Sequence, residues 1–593
     1  MGVSAWHVNR DRACSDCGDC TETIETPGGC AVSAPTVRSD RASPLSAVAA
    51  LALIIVLAVW FGSLGLRELM PSDEGRYAQI AREMAQTGDW VTIRYNGLKY
   101  FYKPPFHLWM SALAFDMFGV GVWQARVWAA VSGLLAVAMM MIAAARWWGR
   151  TAAVFTGWVL LAMPLWNMGA HFNSLDMAVS AALAVALSCF LIAQHPQASR
   201  ASRQRWMLGV WAAMGVAVLS KGLIGLVLPG LVLVVYTLWS RDWALWRRMH
   251  FGSGLLVFSV VTVPWFYLVI ARNPEFAHFF FIHEHFERYT STVHRRHEPW
   301  WFFLPLVVAG FLPWSGLWAG LVRRVRETPR QASVFQPERL LATWVLSILV
   351  FFSASGSKLP GYILPIMPAL ALLGALALTR VRERGLVRQL WVMLGVAVVF
   401  AAATPLVGRL GSAITPQPLF ERYALWLAVA AAVAVAGTAA ALVFERRARR
   451  VTAVSTYALA WLVASTVGIA GHGSISRSAS GVDLVPAVSA VLEPQMPLYG
   501  VHRLDHTLPF YLGHRLTMVE YADELAFGAR QQPDAWLPTL AQFVDRWQHG
   551  PRALAVMAPA SFDALRAQGV PMSEVARDTR RVVVANFTVR VSP

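Results

Sequence analysis

Met70-Pro-Ser-Asp-Glu-Gly-Arg-Tyr-Ala-Gln-Ile-Ala-Arg-Glu-Met84 follows directly on an apolar run, Pro44–Leu66, and the junction between the two decides how the chain is read. The apolar run is long enough to cross a bilayer and longer than the core of a cleaved signal peptide, so it reads as a retained signal-anchor. The polar stretch then opens a helix pressed against the membrane. Ser72 is placed to cap it, Asp73 and Glu74 fall in its positive first turn, and Gly88 ends it. Acids at a helix start are ordinary helix chemistry. Two adjacent carboxylates beside a membrane also suit a cavity that handles a sugar or a phosphate-bearing group.

The composition supports the membrane reading. Of 593 residues, 56% are hydrophobic and only 14% charged, against roughly 25% charged in soluble domains. This is a polytopic membrane protein. A net charge of +17 and 26 Trp belong to that class, because Lys and Arg collect on cytoplasmic loops and Trp at interfaces. The arginines are scattered between apolar runs rather than grouped on one soluble face, which argues against nucleic acid as a partner. Cys14, Cys17, Cys20 and Cys30 have metal-like spacing, but they lie in a polar tail (1–43) without a hydrophobic pattern or a finger-spaced His, so the tail reads as disordered and cytosolic.

Windows of about 20 residues predict roughly thirteen spans between 44 and 470. Alternate connections carry Arg146 and Arg150; Arg200, Arg203 and Arg205; Arg241, Arg247 and Arg248; Arg323, Arg324 and Arg326; Arg380, Arg382 and Arg384; and Arg446, Arg447, Arg449 and Arg450. The positive-inside rule puts all of them, and the N-terminus, in the cytoplasm. An odd number of spans leaves residues 471–593 outside, where short β-runs alternate with helical stretches as in a small α/β domain. The first outer loop (67–121) reads as two interfacial helices.

The other connections hold the chemistry. Asp73, Glu74, Arg76, Lys103, Asp176, Lys221, Lys358 and the 271–299 loop all fall on the outer face. Ionisable groups near a membrane interior usually face a wet cavity, since burying one costs about 2.5–3.5 kcal/mol on insertion scales. The outer loops are also basic, against the charge bias, and an anionic ligand such as phosphate accounts for that most simply. Asp176, in His171-Phe-Asn-Ser-Leu-Asp, supplies a second acid on the face of Asp73. Lys103 precedes two prolines that fix its backbone, which suits a point charge on phosphate. In His278-Phe-Phe-Phe-Ile-His-Glu-His-Phe-Glu-Arg-Tyr289, the pairs His283/Glu287 and Glu284/Arg288 are spaced to share a helix face. Arg288 reads as a phosphate clamp, and His285 as the preferred ligand if a divalent metal ion is used.

Together these motifs resemble a known family. An Asp-Glu pair in a long first loop, Leu-x-Tyr-Phe-x-Lys-Pro, Ser-Leu-Asp-Met, Ser-Lys-Gly-Leu-Ile-Gly and Ser-Lys-Leu-Pro-x-Tyr-Ile-Leu-Pro are similar to the aminoarabinose transferase branch of the dolichyl-phosphate-mannose–protein mannosyltransferase superfamily. The similarity runs from about Leu69 to Leu378. It implies the GT-C glycosyltransferase fold, a multi-pass α-helical bundle of the bacterial inner membrane with a small periplasmic α/β domain. It also implies transfer of a sugar from a polyprenyl phosphate donor to lipid A or another periplasmic acceptor. Asp73 would be the principal catalytic carboxylate, with Glu74 beside it and Asp176 as second acid. Arg76, Lys103, Lys221 and Arg288 would bind the donor phosphate, Lys358 and Tyr362 would line the cavity, and His285 matches a metal position. Tyr102 stands where the branch often has an acid, which removes a ligand from that metal position and leaves the sugar open. Transfer to protein or glycan hydroxyls is the alternative within the fold. A transporter or flippase would show repeated halves, and none is visible in the sequence.

Overall fold

In the computed structural model, residues 44–287, 298–327 and 334–589 are described. The N-terminal cysteine cluster and Arg288 lie outside them, as does the side chain of His285. Among the described residues eight helices are long and apolar enough to cross a membrane, and Phe303–Gly310 with Leu312–Arg326, bent by 90°, makes a ninth. The difference from the expected thirteen has identifiable causes. Helix α4, Val122–Ala162, runs 41 residues but breaks at Gly149 (φ 84°, ψ −178°), between the arginines that mark a loop in the sequence. A backbone with that φ favours glycine. Ala49–Gly62, the apolar part of α1 (Pro44–Gly62), and α8 (Ile224–Ser240) are shorter. The remaining candidate, α7 (Arg200–Lys221), begins on three arginines.

The bundle core holds the large tryptophans. Trp60 and Trp314 are fully buried, and each indole N–H donates to a carbonyl of α4, Ala130 at 3.0 Å and Val159 at 3.2 Å. A buried indole needs such a partner.

Above one end of the bundle sits the first loop. Helix α2 (Asp73–Thr87) is buried along most of its length and ends at Gly88 in the left-handed conformation, as expected. Ser72 does not cap it: its backbone is already helical and its hydroxyl makes no capping bond. Glu74 serves that end instead, accepting from the Met70 N–H at 3.0 Å. A hairpin of β1 (Arg94–Tyr95) and β2 (Leu98–Lys99) follows, which the sequence reading did not anticipate. Its turn residues Asn96 (φ 50°) and Gly97 (φ 80°) both have positive φ, the geometry of a two-residue hairpin turn. The Glu83 carboxylate accepts both turn N–H groups, at 2.8 and 2.9 Å. Tyr100–Lys103 and α3 (Phe106–Phe118) then pass beside α2.

The C-terminal sheet has five strands in the order β4 (Thr517–Val519), β3 (Leu498–Val501), β5 (Leu554–Met557), β7 (Val582–Ala585), β6 (Ser573–Arg577). β3 is parallel to both neighbours, and β7 is antiparallel to β5 and β6. The three inner strands are buried on both faces, which is why they read as continuous apolar runs. Tyr499, Ala555 and Val584 pack under the helices Leu540–His549 and Pro559–Ala567, while Leu498, Val556 and Val583 share a core with Leu69, Tyr77 and Tyr95 of the first loop.

Candidate active site

Asp73 and Glu74 part company in space. Glu74 is fully buried. Arg126 grips it with two nitrogens, Nε to Oε1 at 2.7 Å and Nη2 to Oε2 at 3.0 Å, while Arg67 Nη1 adds a contact at 2.7 Å and the Asn173 N–H another at 3.0 Å. Burial pushes this carboxyl up, but the Arg126 and Arg67 charges overcome it and hold it at about 2. Every lone pair is engaged, so Glu74 is a bolt between α4, which carries Arg126, and the connections after α1 and before α6 (Leu175–Ala193), which carry Arg67 and Asn173, and the expectation that it works beside Asp73 is corrected by its surroundings.

Asp73 keeps a third of its side chain exposed and pairs with Arg76 Nη1 at 3.3 Å. Arg76 Nε meets Glu524, from the C-terminal domain, at 3.0 Å. The second acid, Asp176, stands in the first turn of α6, its N–H taken by the Ser174 hydroxyl. Its carboxylate pairs with Lys221, whose ammonium lies 4.4 Å from the centre of the Tyr362 ring. Three expected residues thus meet in one cluster. Gly361 makes room for it: a Cβ there would come within 2.5 Å of Asp176 Oδ2.

Tyr77 joins the two acids. It is buried against His107, with ring centres 6.1 Å apart. Burial raises its phenol, and Asp73, Tyr100 and Asp176 push it further up against the pull of Arg76. Burial likewise pulls His107 down to about 4, keeping it a neutral partner for Asn173 Oδ1 at 2.8 Å.

Lys103 Nζ lies 2.9 Å from Glu284. The segment His278–Glu287 is a π-helix, and Glu284 pairs across to the first loop; the expected partners on its face, the Glu287 side chain and Arg288, lie outside the described residues. Lys358 is buried, with its ammonium donating to the carbonyls of Ser355 (2.6 Å) and Glu298 (3.0 Å). An aromatic wall backs Lys103: Tyr100 on Tyr102, Tyr102 on Phe279 and Phe279 on Phe527, with centroids 5.1, 4.9 and 4.1 Å apart.

Among the described residues no ligand set for a divalent ion forms, and the side chain of His285 lies outside them. Tyr102 brings no carboxylate, Glu284 is held by Lys103, and no group of three or more His, Cys, Asp or Glu suited to a metal occurs among the described residues. Sequence reasoning missed Tyr77, Tyr100 and Glu524, and gave Glu284 only as a helix-face partner of Arg288, not its pairing with Lys103. Tyr77 was within reach, since it sits four residues after Asp73 on the same helix face. Glu524 carried no local signal.

Comparison with known proteins identifies the family. Residues 102–267 match the dolichyl-phosphate-mannose-protein mannosyltransferase family, and residues 484–586 match the aminoarabinose transferase C-terminal domain. The crystal structure of ArnT from Cupriavidus metallidurans bound to undecaprenyl phosphate is 50% identical with a TM-score of 0.89, covering 92% of this chain and 99% of that one. The same protein in the apo state is 49% identical with a TM-score of 0.88. The undecaprenyl phosphate-alpha-4-amino-4-deoxy-L-arabinose arabinosyl transferase of Pseudomonas aeruginosa (strain UCBPP-PA14) is 36% identical over 315 residues, 52% of this chain and 55% of that relative. The chain thus spans about half the length of the curated relatives it matches.

Proposed function

Because this chain belongs to the aminoarabinose transferase family of GT-C membrane glycosyltransferases, we propose that it moves an aminoarabinose-type sugar from a polyprenyl phosphate to lipid A phosphate. The observation that carries the proposal is the pairing of two acids with cations, Asp73 with Arg76 and Asp176 with Lys221, on elements linked through the Tyr77–His107 ring contact and the His107–Asn173 hydrogen bond. The site faces the periplasm in this reading, with the N-terminus and the arginine-rich connections in the cytoplasm and the sheet domain outside.

The chemistry follows from the leaving group. The bond between the sugar carbon and the donor phosphate oxygen breaks while an acceptor oxygen forms a new bond to the same carbon from the opposite side. The electron pair leaves on the polyprenyl phosphate, and Lys103 and Arg76 meet that growing charge. Lys103 is loaned by Glu284, so phosphate competes with a carboxylate for an ammonium already in place. Lys221, held by Asp176 and Tyr362, offers a second cation. A lipid A phosphate is already an anion near neutral pH and needs no base, so Asp73 orients the reactants. With a hydroxyl acceptor Asp73 would instead take the proton.

The test is a reconstituted assay with labelled polyprenyl-phosphoryl aminoarabinose and lipid A, without a transmembrane gradient. Labelled lipid A should form, and Asp73→Asn should lower the rate at least about 100-fold. Full transfer by the Asn variant would remove Asp73 from the mechanism, and product that appears only across an imposed gradient would favour a transporter.

A further inference from the structure

We propose that Glu524, carried by the C-terminal α/β domain, is a positioning residue of the active site: its charge shares Arg76 with Asp73 and so keeps the guanidinium from being taken up by Asp73 alone. The inference rests on the reading of the site as one that binds a lipid phosphate.

Three observations support it. Arg76 lies between two carboxylates through different nitrogens, Asp73 on Nη1 at 3.3 Å and Glu524 on Nε at 3.0 Å. Both ends of the Glu524 pair are largely shielded, the side chains being 10% and 20% exposed, so this is not a screened surface pair. The segment that carries Glu524 is also seated closely. A Cβ at Gly528 would come within 2.5 Å of the Lys99 carbonyl oxygen, and the Phe527 ring packs 4.1 Å from Phe279 and 5.7 Å from Phe101, against the wall behind Lys103. Behind it, His506 Nδ1 lies 3.7 Å from Glu524 Oε1 and 2.9 Å from the Tyr95 hydroxyl. The electrostatics agree: burial works against the charge on Arg76, and Tyr100, Glu524, Tyr77 and Asp73 together more than restore it. Arg76 Nε and Glu524 meet as an ion pair without hydrogen-bond alignment; the Glu524 charge draws the guanidinium toward the sheet domain, which leaves N–H groups for a phosphate.

Full-length protein in detergent is titrated with undecaprenyl phosphate, and transfer is measured in parallel. Glu524→Gln keeps the shape and removes the charge. Its Kd for the lipid phosphate and its donor KM should both rise roughly tenfold, while kcat falls less than about threefold. Glu524→Asp retains a retracted carboxylate and should give an intermediate shift, which keeps the test open if the Gln variant does not fold. Wild-type Kd and KM in a folded Gln variant would overturn the proposal, as would a loss confined to the fraction of active molecules. Binding by the wild type without any transfer would count against the proposed reaction and leave the role of Glu524 in gripping phosphate standing.

Discussion

Asp73 and Glu74 are neighbours in the chain with opposite surroundings, because successive helix positions point about 100° apart. One points to the exposed rim of α2 and the other into the Arg67–Arg126 pocket. That the first loop carries a candidate acid was legible from its position outside the first span. Which of the two it was depended on arginines 7 and 52 residues away. Glu74→Gln would leave those guanidiniums facing a neutral amide, and breaking a buried pair in this way costs about 3–5 kcal/mol. The folded value of about 2 lies below the ordinary 4.5, so the carboxylate contributes stability that is fully present above pH ~4.5 and is lost as pH falls toward ~2. Thermal melts between pH 5 and 3 should show a falling limb in the wild type and a flatter one in the Gln variant. Equal melting temperatures at pH 7 would mean the bolt is dispensable.

At the scale of elements, most spans and the inner strands of the sheet follow from period, length and apolar content, and the C-terminal end of α2 from Gly88. What escaped did so for stated reasons. The β1–β2 hairpin is only two residues per strand and is held by Glu83 rather than by its own pattern. Edge strand β6, Ser573-Glu-Val-Ala-Arg577, is polar and partly exposed, so it lacks the apolar signature of β3, β5 and β7. The packing of α2 on the sheet domain is set at Gly75, where a Cβ would come within 2.3 Å of the His506 carbonyl oxygen and 2.6 Å of Thr507 Cγ2. Neither the backbone nor the buried threonine yields cheaply. Gly75→Ala is expected to cost about 1–3 kcal/mol and to expose the junction between α2 and the sheet domain to limited proteolysis. A cleavage pattern unchanged from wild type would show that the contact is loose.

At the scale of the whole molecule, the arginine-rich connections fall at the ends and breaks of helices, as at Gly149 in α4, while the candidate site forms where α2, α6 and the sheet domain meet. The proposed orientation can be read directly. In a background with the four tail cysteines changed to Ser, Cys189 is buried, and His549→Cys places a thiol at a position 74% exposed on the sheet domain. A membrane-impermeant maleimide should label it in intact spheroplasts; labelling only after permeabilisation would invert the topology.

Composition, apolar run length and the placement of arginines determined a multi-pass membrane protein whose ionisable groups gather at one end, because crossing a bilayer is a demand each segment meets alone. The motif order carried the family. Only the tertiary structure decided that Glu74 is a bolt, that Lys103 answers to Glu284, that Asp176, Lys221 and Tyr362 form one cluster, and that the C-terminal domain reaches the site through Glu524. Those pairings join residues as far apart in the chain as Arg76 and Glu524, and an ionic contact over a few ångströms depends on how whole elements pack, which no local pattern records.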